Sequence, residues 1–331
     1  MASSWDPPGS NVSTTRSFPV PQNAFHPGRP WLDLDGEPIN AHGGGVLFHG
    51  GQYYWYGEAR PRGPSNQDAR IGVSCYRSED LYHWKSLGIA LKVVEDESHP
   101  LVSGCKIERP KVIYNAKTGK FVMWWHHDRK GWGHAGALAG VAVSDSPQGP
   151  FTFVEVLQPN GRMFRDCTVF MDVDGAAYLV FASDANANLV FCRLDDTFTK
   201  PTGIQCTQFH GRYMEAPCVF HHEGRYYFLG SDCTGWAPNE ARSAVAPALF
   251  ADWKELGNPC LGEGSETTFG AQSTFVLPVA GKPGRFIFMA DRWVPEDLAA
   301  STYVWLPIEF RKVPGREAPR PFIRWADSWS L

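Results

Sequence analysis

The 331 residues carry 31 lysines and arginines against 35 acids, a formal net charge of -4, with 14% aromatics, 33 glycines and 26 prolines. So many rings and so little net charge exclude a disordered chain, and so many turn formers exclude a helical bundle or coiled coil. The mildly acidic balance gives no footing for nucleic acid, and no apolar run approaches the roughly 18 residues that span a membrane.

Residues 1–38 read as an extended lead-in rich in Ser, Pro and Asn. The first fifteen lack the apolar core of a secretion signal, yet Asn11-Val12-Ser13 is a glycosylation sequon. The expectation is a secreted protein whose signal has been removed. From residue 39 a pattern repeats: a short strand, a glycine turn, then an aromatic or branched strand. Val46-Leu47-Phe48 precedes Gly51 and Tyr53-Tyr54-Trp55-Tyr56. Val112-Ile113-Tyr114 precedes Gly119 and Phe121-Val122-Met123-Trp124. Thr168-Val169-Phe170 precedes Gly175 and Tyr178-Leu179-Val180. Val219-Phe220 precedes Gly224 and Tyr226-Tyr227-Phe228-Leu229, and Phe275-Val276-Leu277 precedes Gly284 and Phe286-Ile287-Phe288. The glycines lie about 50–70 residues apart, too long for a simple sandwich and regular enough for a repeat. Further strands such as Gly72–Tyr76 and Gly140–Val143 follow the hairpins. The prediction is an all-β chain folded as a five-bladed β-propeller over residues 39–310, with 311–331 as a tail packed on its outside. Val304–Phe310 is expected to add a strand near the seam of blades five and one.

In a propeller the first strand of every blade meets the others at one mouth. The polar residues there are Asn40–Gly43, Glu108-Arg109-Pro110, Arg165-Asp166, Glu215-Ala216-Pro217 and Gly270–Ser273. Three blades offer a carboxylate at the same relative place. Carboxylates around an aromatic-walled pocket suit glycoside hydrolysis, in which one acid protonates the leaving oxygen and another group handles water.

Glu108-Arg109-Pro110-Lys111-Val112, Arg165-Asp166 before Cys167–Phe170, and Glu215-Ala216-Pro217 resemble the motifs of glycoside hydrolase family 43. The match is nearest its exo-β-1,3-galactanase-like branch. Ala41–Gly45, Tyr54–Glu58, Cys233–Asn239, Thr268–Thr274 and Tyr303–Pro307 agree, and the resemblance covers roughly residues 38–310. It implies an exo-acting, inverting hydrolase that releases galactose from β-1,3-galactan. The same family holds arabinofuranosidases and galactofuranosidases, and a non-catalytic carbohydrate-binding propeller is the alternative of another class. Glu215 matches the general acid and Asp166 the carboxylate that orients it and tunes its pKa. The family's usual Asp base on blade one is absent from Asn40–Gly44. Gln272 matches the branch's stand-in, a glutamine relaying a proton as its imidic tautomer, and Glu108 matches a second essential carboxylate or an alternative base.

Glu58, His42, Trp125, Thr234, Trp236 and Asn239 are the expected sugar contacts. For Glu58 the competing reading is a surface charge, for His42 a turn brace, and for Trp236 packing under its loop. Arg292 either reaches the pocket or pairs with Asp291. No metal site is expected. His126-His127 and His221-His222 are adjacent pairs whose side chains point apart on a strand, without a third ligand at useful spacing. The eight cysteines form no CxxC pair; the resemblance suggests a Cys233–Cys260 disulfide. The chemistry needs no cofactor, and the expected partner is an oligo- or polysaccharide acted on by a monomer.

Overall fold

The computed structural model describes residues 23–64, 67–315 and 317–331; the Asn11 sequon lies outside them. The chain builds five sheets, antiparallel but for one short outer pair, which are the five blades of a propeller. Blade one is β1 (His42–His49), β2 (Gln52–Ala59), β3 (Gly72–Ser78) and β4 (Lys85–Lys92). Blade two is β5 (Lys106–Asn115), β6 (Lys120–Asp128), β7 (Leu138–Ser144) and β8 (Thr152–Leu157). Blade three is β9 (Cys167–Met171), β10 (Ala177–Ser183), β11 (Asn188–Leu194) and β12 (Pro201–Gln208). Blade four is β13 (Met214–His222), β14 (Arg225–Asp232), β15 (Arg242–Ala246) and β16 (Lys254–Gly257). Blade five collects β17 (Cys260–Leu261), β18 (Gln272–Pro278), β19 (Phe286–Arg292), β20 (Thr302–Arg311) and β21 (Arg320–Arg324), with β17 parallel to β21 at the outer edge. The innermost strands β1, β5, β9, β13 and β18 each touch both neighbours and close the ring. Each hairpin glycine adopts positive φ, as at Gly175 (82°) and Gly224 (71°), a conformation that costs other residues a Cβ clash.

The high aromatic content goes to the blade interfaces. Both faces of every sheet pack against a neighbour, so alternate side chains serve alternate interfaces. On β6, Phe121, Met123 and Trp125 join the cluster shared with blade one, while Val122 and Trp124 join the one shared with blade three. Three further clusters lie between blades three and four, four and five, and five and one. Full burial of a Phe or similar side chain is worth about 1.5–3 kcal/mol, so these rings supply much of the force holding blade to blade.

Ring closure differs from the expected added strand. Val304–Phe310 lies within β20, the third strand of blade five, and pairs with β19 and β21 rather than with blade one. Rings and side-chain hydrogen bonds close the seam instead. Phe25 stacks on Trp329 at 4.4 Å between centroids, and Trp31, Trp55 and Trp305 pack beside them. The Tyr303 hydroxyl donates to the Ile39 carbonyl and accepts from the Ala41 amide, both at 2.9 Å. The stretch read as an outer tail contains β21, the outermost antiparallel strand of blade five.

Candidate active site

Four innermost strands break register where they reach the mouth: β1 between His42 and Gly45, β5 between Glu108 and Lys111, β13 between Glu215 and Cys218, and β18 between Ser273 and Phe275. The first three bulges each hold a residue at positive φ: Gly43 (59°), Arg109 (56°) and Ala216 (53°). Bulges re-aim side chains, and Pro110 and Pro217 are tolerated beside them because these are edge strands. The Glu-Arg-Pro and Glu-Ala-Pro patterns are thus bulges that turn Glu108 and Glu215 into the cleft. At Gly43 the absent side chain matters, since a Cβ would lie 2.4 Å from Glu58 Oε1.

The cleft, about 270 Å³, is lined by Glu58, Arg60, Glu108, Arg109, His134, Asp166, Glu215, Gln272, Trp236 and Trp293 among others. A larger hollow of about 920 Å³ opens between the outer part of blade five and the C-terminus. Among the described residues its only acidic side chain is Glu309, so it lacks the carboxylate set on which the chemistry depends.

Glu215 is held toward its protonated form. Burial raises its pKa first and the Asp166 charge adds to this, carrying it to about 7 against hydrogen bonding from Cys233 and the charges of Arg109 and Arg165. Its Oε1 accepts from Asn186 Nδ2 at 2.7 Å and from the Cys233 thiol at 3.1 Å. Asp166 Oδ2 accepts the Ala216 amide at 3.0 Å and pairs with Arg109 at 3.1 Å.

Glu108 is the opposite case. Burial pushes it up, but the hydrogen bond and charge of His126, with His134 and Arg60 beyond, outweigh this and hold it well below the usual carboxylate range. His126 lies between Glu108 (Nδ1 to Oε2, 3.1 Å) and Asp128 (Nε2 to Oδ2, 2.8 Å). Burial alone would lower its pKa, but the two carboxylates raise it to about 9, so it is an imidazolium at neutral pH. His134, from the loop after β6, brings Glu108, His126 and His134 within 4.8 Å of one another. That is a third potential metal ligand which sequence spacing did not reveal. Both His126 nitrogens already face carboxylates, and its charge balances the cluster as it stands.

Glu58 is a nearly buried part of the cleft lining, accepting the Arg109 amide at 2.8 Å and pairing with Arg60. Burial raises its pKa, opposed by Arg60 and reinforced by Glu108. It is not an exposed surface charge. Gln272 Oε1 accepts from Arg109 and from Trp293 Nε1 (3.1 Å), while its Nε2 donates to Ser231 Oγ at 3.0 Å. Arg and Trp can only donate, so the amide orientation is set.

Several expected sugar contacts lie elsewhere. Trp125 is fully buried between blades one and two, because the flat face of a blade meets another blade and only strand ends reach the mouth. His42 is also fully buried, stacked on Tyr303 at 5.3 Å and 3.6 Å from Asp291. Thr234 and Asn239 bond each other at 2.6 Å, and Asn239 ties back to the Asp232 backbone, so they brace the loop that carries Trp236. Trp236 does line the cleft, 42% exposed and edge-on to Trp293 at 5.7 Å. Arg292 turns away to the Phe269 carbonyl and the Trp325 ring. Cys233 and Cys260 are both free thiols: Cys233 faces Glu215, and Cys260 is buried between blades four and five. Asn186, Arg60, His134 and Trp293 escaped the sequence reading because they come from turns and strand ends outside the repeated motif.

A propeller mouth holding one carboxylic acid kept protonated toward neutral pH, one carboxylate kept ionised and a tryptophan wall has the equipment of a glycoside hydrolase. The sequence model of glycosyl hydrolases family 43 matches residues 45–258, and the chain belongs to that family, which inverts anomeric configuration. No curated protein matches the chain. Among solved structures, a family 43 β-1,3-galactosidase with galactodeoxynojirimycin is 44% identical over 93% of this chain and 100% of its own, with a TM-score of 0.89. An exo-β-1,3-galactanase from Clostridium thermocellum is 37% identical over 93% of this chain and 66% of its own, TM-score 0.84. One from Phanerochaete chrysosporium with β-1,3-galactotriose is 34% identical over 94% of this chain and 68% of its own, TM-score 0.83.

Proposed function

We propose that the chain is an exo-acting β-1,3-galactanase that releases galactose from the end of a β-1,3-galactan. The observation that carries the chemistry is the Glu215 carboxyl held at about 7 beside Asp166. The similarity to β-1,3-galactosidases and galactanases supports the sugar. Glu215 gives its proton to the glycosidic oxygen as the bond from that oxygen to the anomeric carbon breaks. A water attacks the same carbon from the opposite face and loses a proton to a base. Trp236 and Trp293 offer flat faces to the apolar side of a sugar ring.

Of the two candidates for the base, the geometry favours Glu108. An imidic Gln272 would need a proton on Oε1, where Arg109 and Trp293 already point donors and offer no acceptor. Glu108 is ionised and lines the cleft. Gln272 is then the group that orders Arg109 and the water. Glu108→Ala with azide tests the assignment. Azide should restore turnover and yield α-galactosyl azide, whereas rescue of Gln272→Ala instead would transfer the base role to Gln272. Glu215→Gln should lose about 10²–10⁴-fold in kcat while keeping sugar affinity. A Gln variant with near-normal rate would remove the general-acid reading.

A further inference from the structure

We propose that Asn186 is a positioning residue which, with the Cys233 thiol, occupies one oxygen of Glu215 so that the transferable proton sits on the other. The inference rests on the reading of Glu215 as the general acid. Oε1 receives Asn186 Nδ2 at 2.7 Å and the Cys233 thiol at 3.1 Å, while no described residue hydrogen-bonds Oε2. Two donors aimed at one oxygen oppose a proton there, so the neutral acid carries it on Oε2. Glu215 lines the cleft, and Oε2 is the oxygen left for the glycosidic bond.

The scaffold spends conformational energy to hold Asn186 in place. It sits in the turn joining β10 to β11, where Asp184, Ala185 and Asn186 have φ of 52°, 56° and 69°. Three successive non-glycine residues in the left-handed region are costly, and such strain clusters at functional sites. Asn186 is 5% exposed and reaches from blade three to the acid of blade four, and its Nδ2 also lies 3.3 Å from Cys233 Sγ. Its own Oδ1 is buried without a partner. A side chain serving only the turn would satisfy that oxygen within the turn; this one gives up that bond to aim its donor at Glu215.

Leaving-group dependence tests the proposal, because a residue that directs the acid's proton matters only when the leaving group needs one. Asn186→Ala should lose about 10–100-fold in kcat on β-1,3-galactobiose. On dinitrophenyl β-galactoside, whose aglycone leaves without protonation, it should lose less than about 3-fold. The alkaline limb of its pH profile should move up, since a donor to the ionised carboxylate is gone. Asn186→Asp should be worse than Ala, because its carboxylate draws the proton to Oε1 and adds like charge. Equal losses on both substrates with an unmoved pH limb would overturn the proposal. Glu215→Ala run alongside separates the two readings. If it shows the leaving-group pattern and Asn186→Ala does not, the positioning role alone fails. If it loses equally on both substrates, the acid assignment itself fails. Should the dinitrophenyl aglycone be refused, the pH limbs of the Ala and Asp variants decide the matter.

Discussion

Glu215→Gln should strengthen the fold while it removes the chemistry. The carboxyl is held at about 7 against an ordinary 4.5, by burial first and then by Asp166. At 1.36 kcal/mol for each tenfold in proton affinity, keeping it ionised costs about 3 kcal/mol. Water in the open cleft screens part of this, leaving about 1–3 kcal/mol for the neutral isostere to recover at pH 8. Between 4.5 and 7 the folded chain binds this proton more tightly than the unfolded chain does. Wild-type stability therefore falls as pH rises through that window and flattens above it. The glutamine can still accept Asn186 and Cys233 at its oxygen, so the substitution leaves those donors satisfied. Thermal unfolding of both proteins from pH 4.5 to 8.5 should show equal melting temperatures at the acid end. At pH 8 the variant should melt roughly 1.5–4 °C higher. A difference that does not change with pH, or a variant less stable at pH 8, would refute the argument that Glu215 is held protonated by its surroundings.

Other parts of the site make separate predictions. His126→Ala leaves Glu108 and Asp128 without their shared cation and should destabilise the fold by about 3–5 kcal/mol in denaturant titrations. In the wild type, the His126 contribution is complete below its ordinary 6.5 and is lost as pH rises to about 9, so melting temperature should fall across that window and level off above it. Asp166→Asn removes the charge that helps raise Glu215, and the alkaline limb of kcat/KM should move below 7. Gly43→Ala puts a Cβ 2.4 Å from Glu58 Oε1 at a φ of 59° and should abolish turnover, measured on galactan beside a melting curve that shows the fold persists. Because Cys233 and Cys260 are free thiols, a reducing agent should change neither activity nor melting temperature.

The blades were legible because a hairpin writes itself locally: a glycine at positive φ between short runs of apolar and aromatic residues. The carboxylates of the mouth were legible for a related reason. Glu108, Asp166 and Glu215 occupy equivalent places in the repeat, and the bulges that aim two of them leave a proline as their mark. The errors came from contacts that no local pattern encodes. Trp125 reads as a ring near the mouth, yet the face of β6 that carries it packs on blade one. His42 sits one residue before the bulge at Gly43 and is turned under the floor instead of into the cleft. Asn186 and His134 lie in connections of no repeating length: Asn186 meets Glu215 only across two blades, and His134 reaches Glu108 from the loop after β6. The seam was misread because β20 completes its own blade, while Phe25 and Trp329 supply the closure from opposite ends of the described chain.

The central claim, an inverting exo-galactanase acting through Glu215, is tested most directly by following products from unbranched β-1,3-galactan by NMR. Aryl arabinofuranoside, galactofuranoside and xyloside substrates belong in the same experiment. The account predicts that galactose appears alone from the galactan, first as the α-anomer, and that Glu215→Gln slows its release by about 10²–10⁴-fold. Release from a furanoside but not from the galactan would contradict the substrate. Sugar binding without turnover on any of them would contradict catalysis itself.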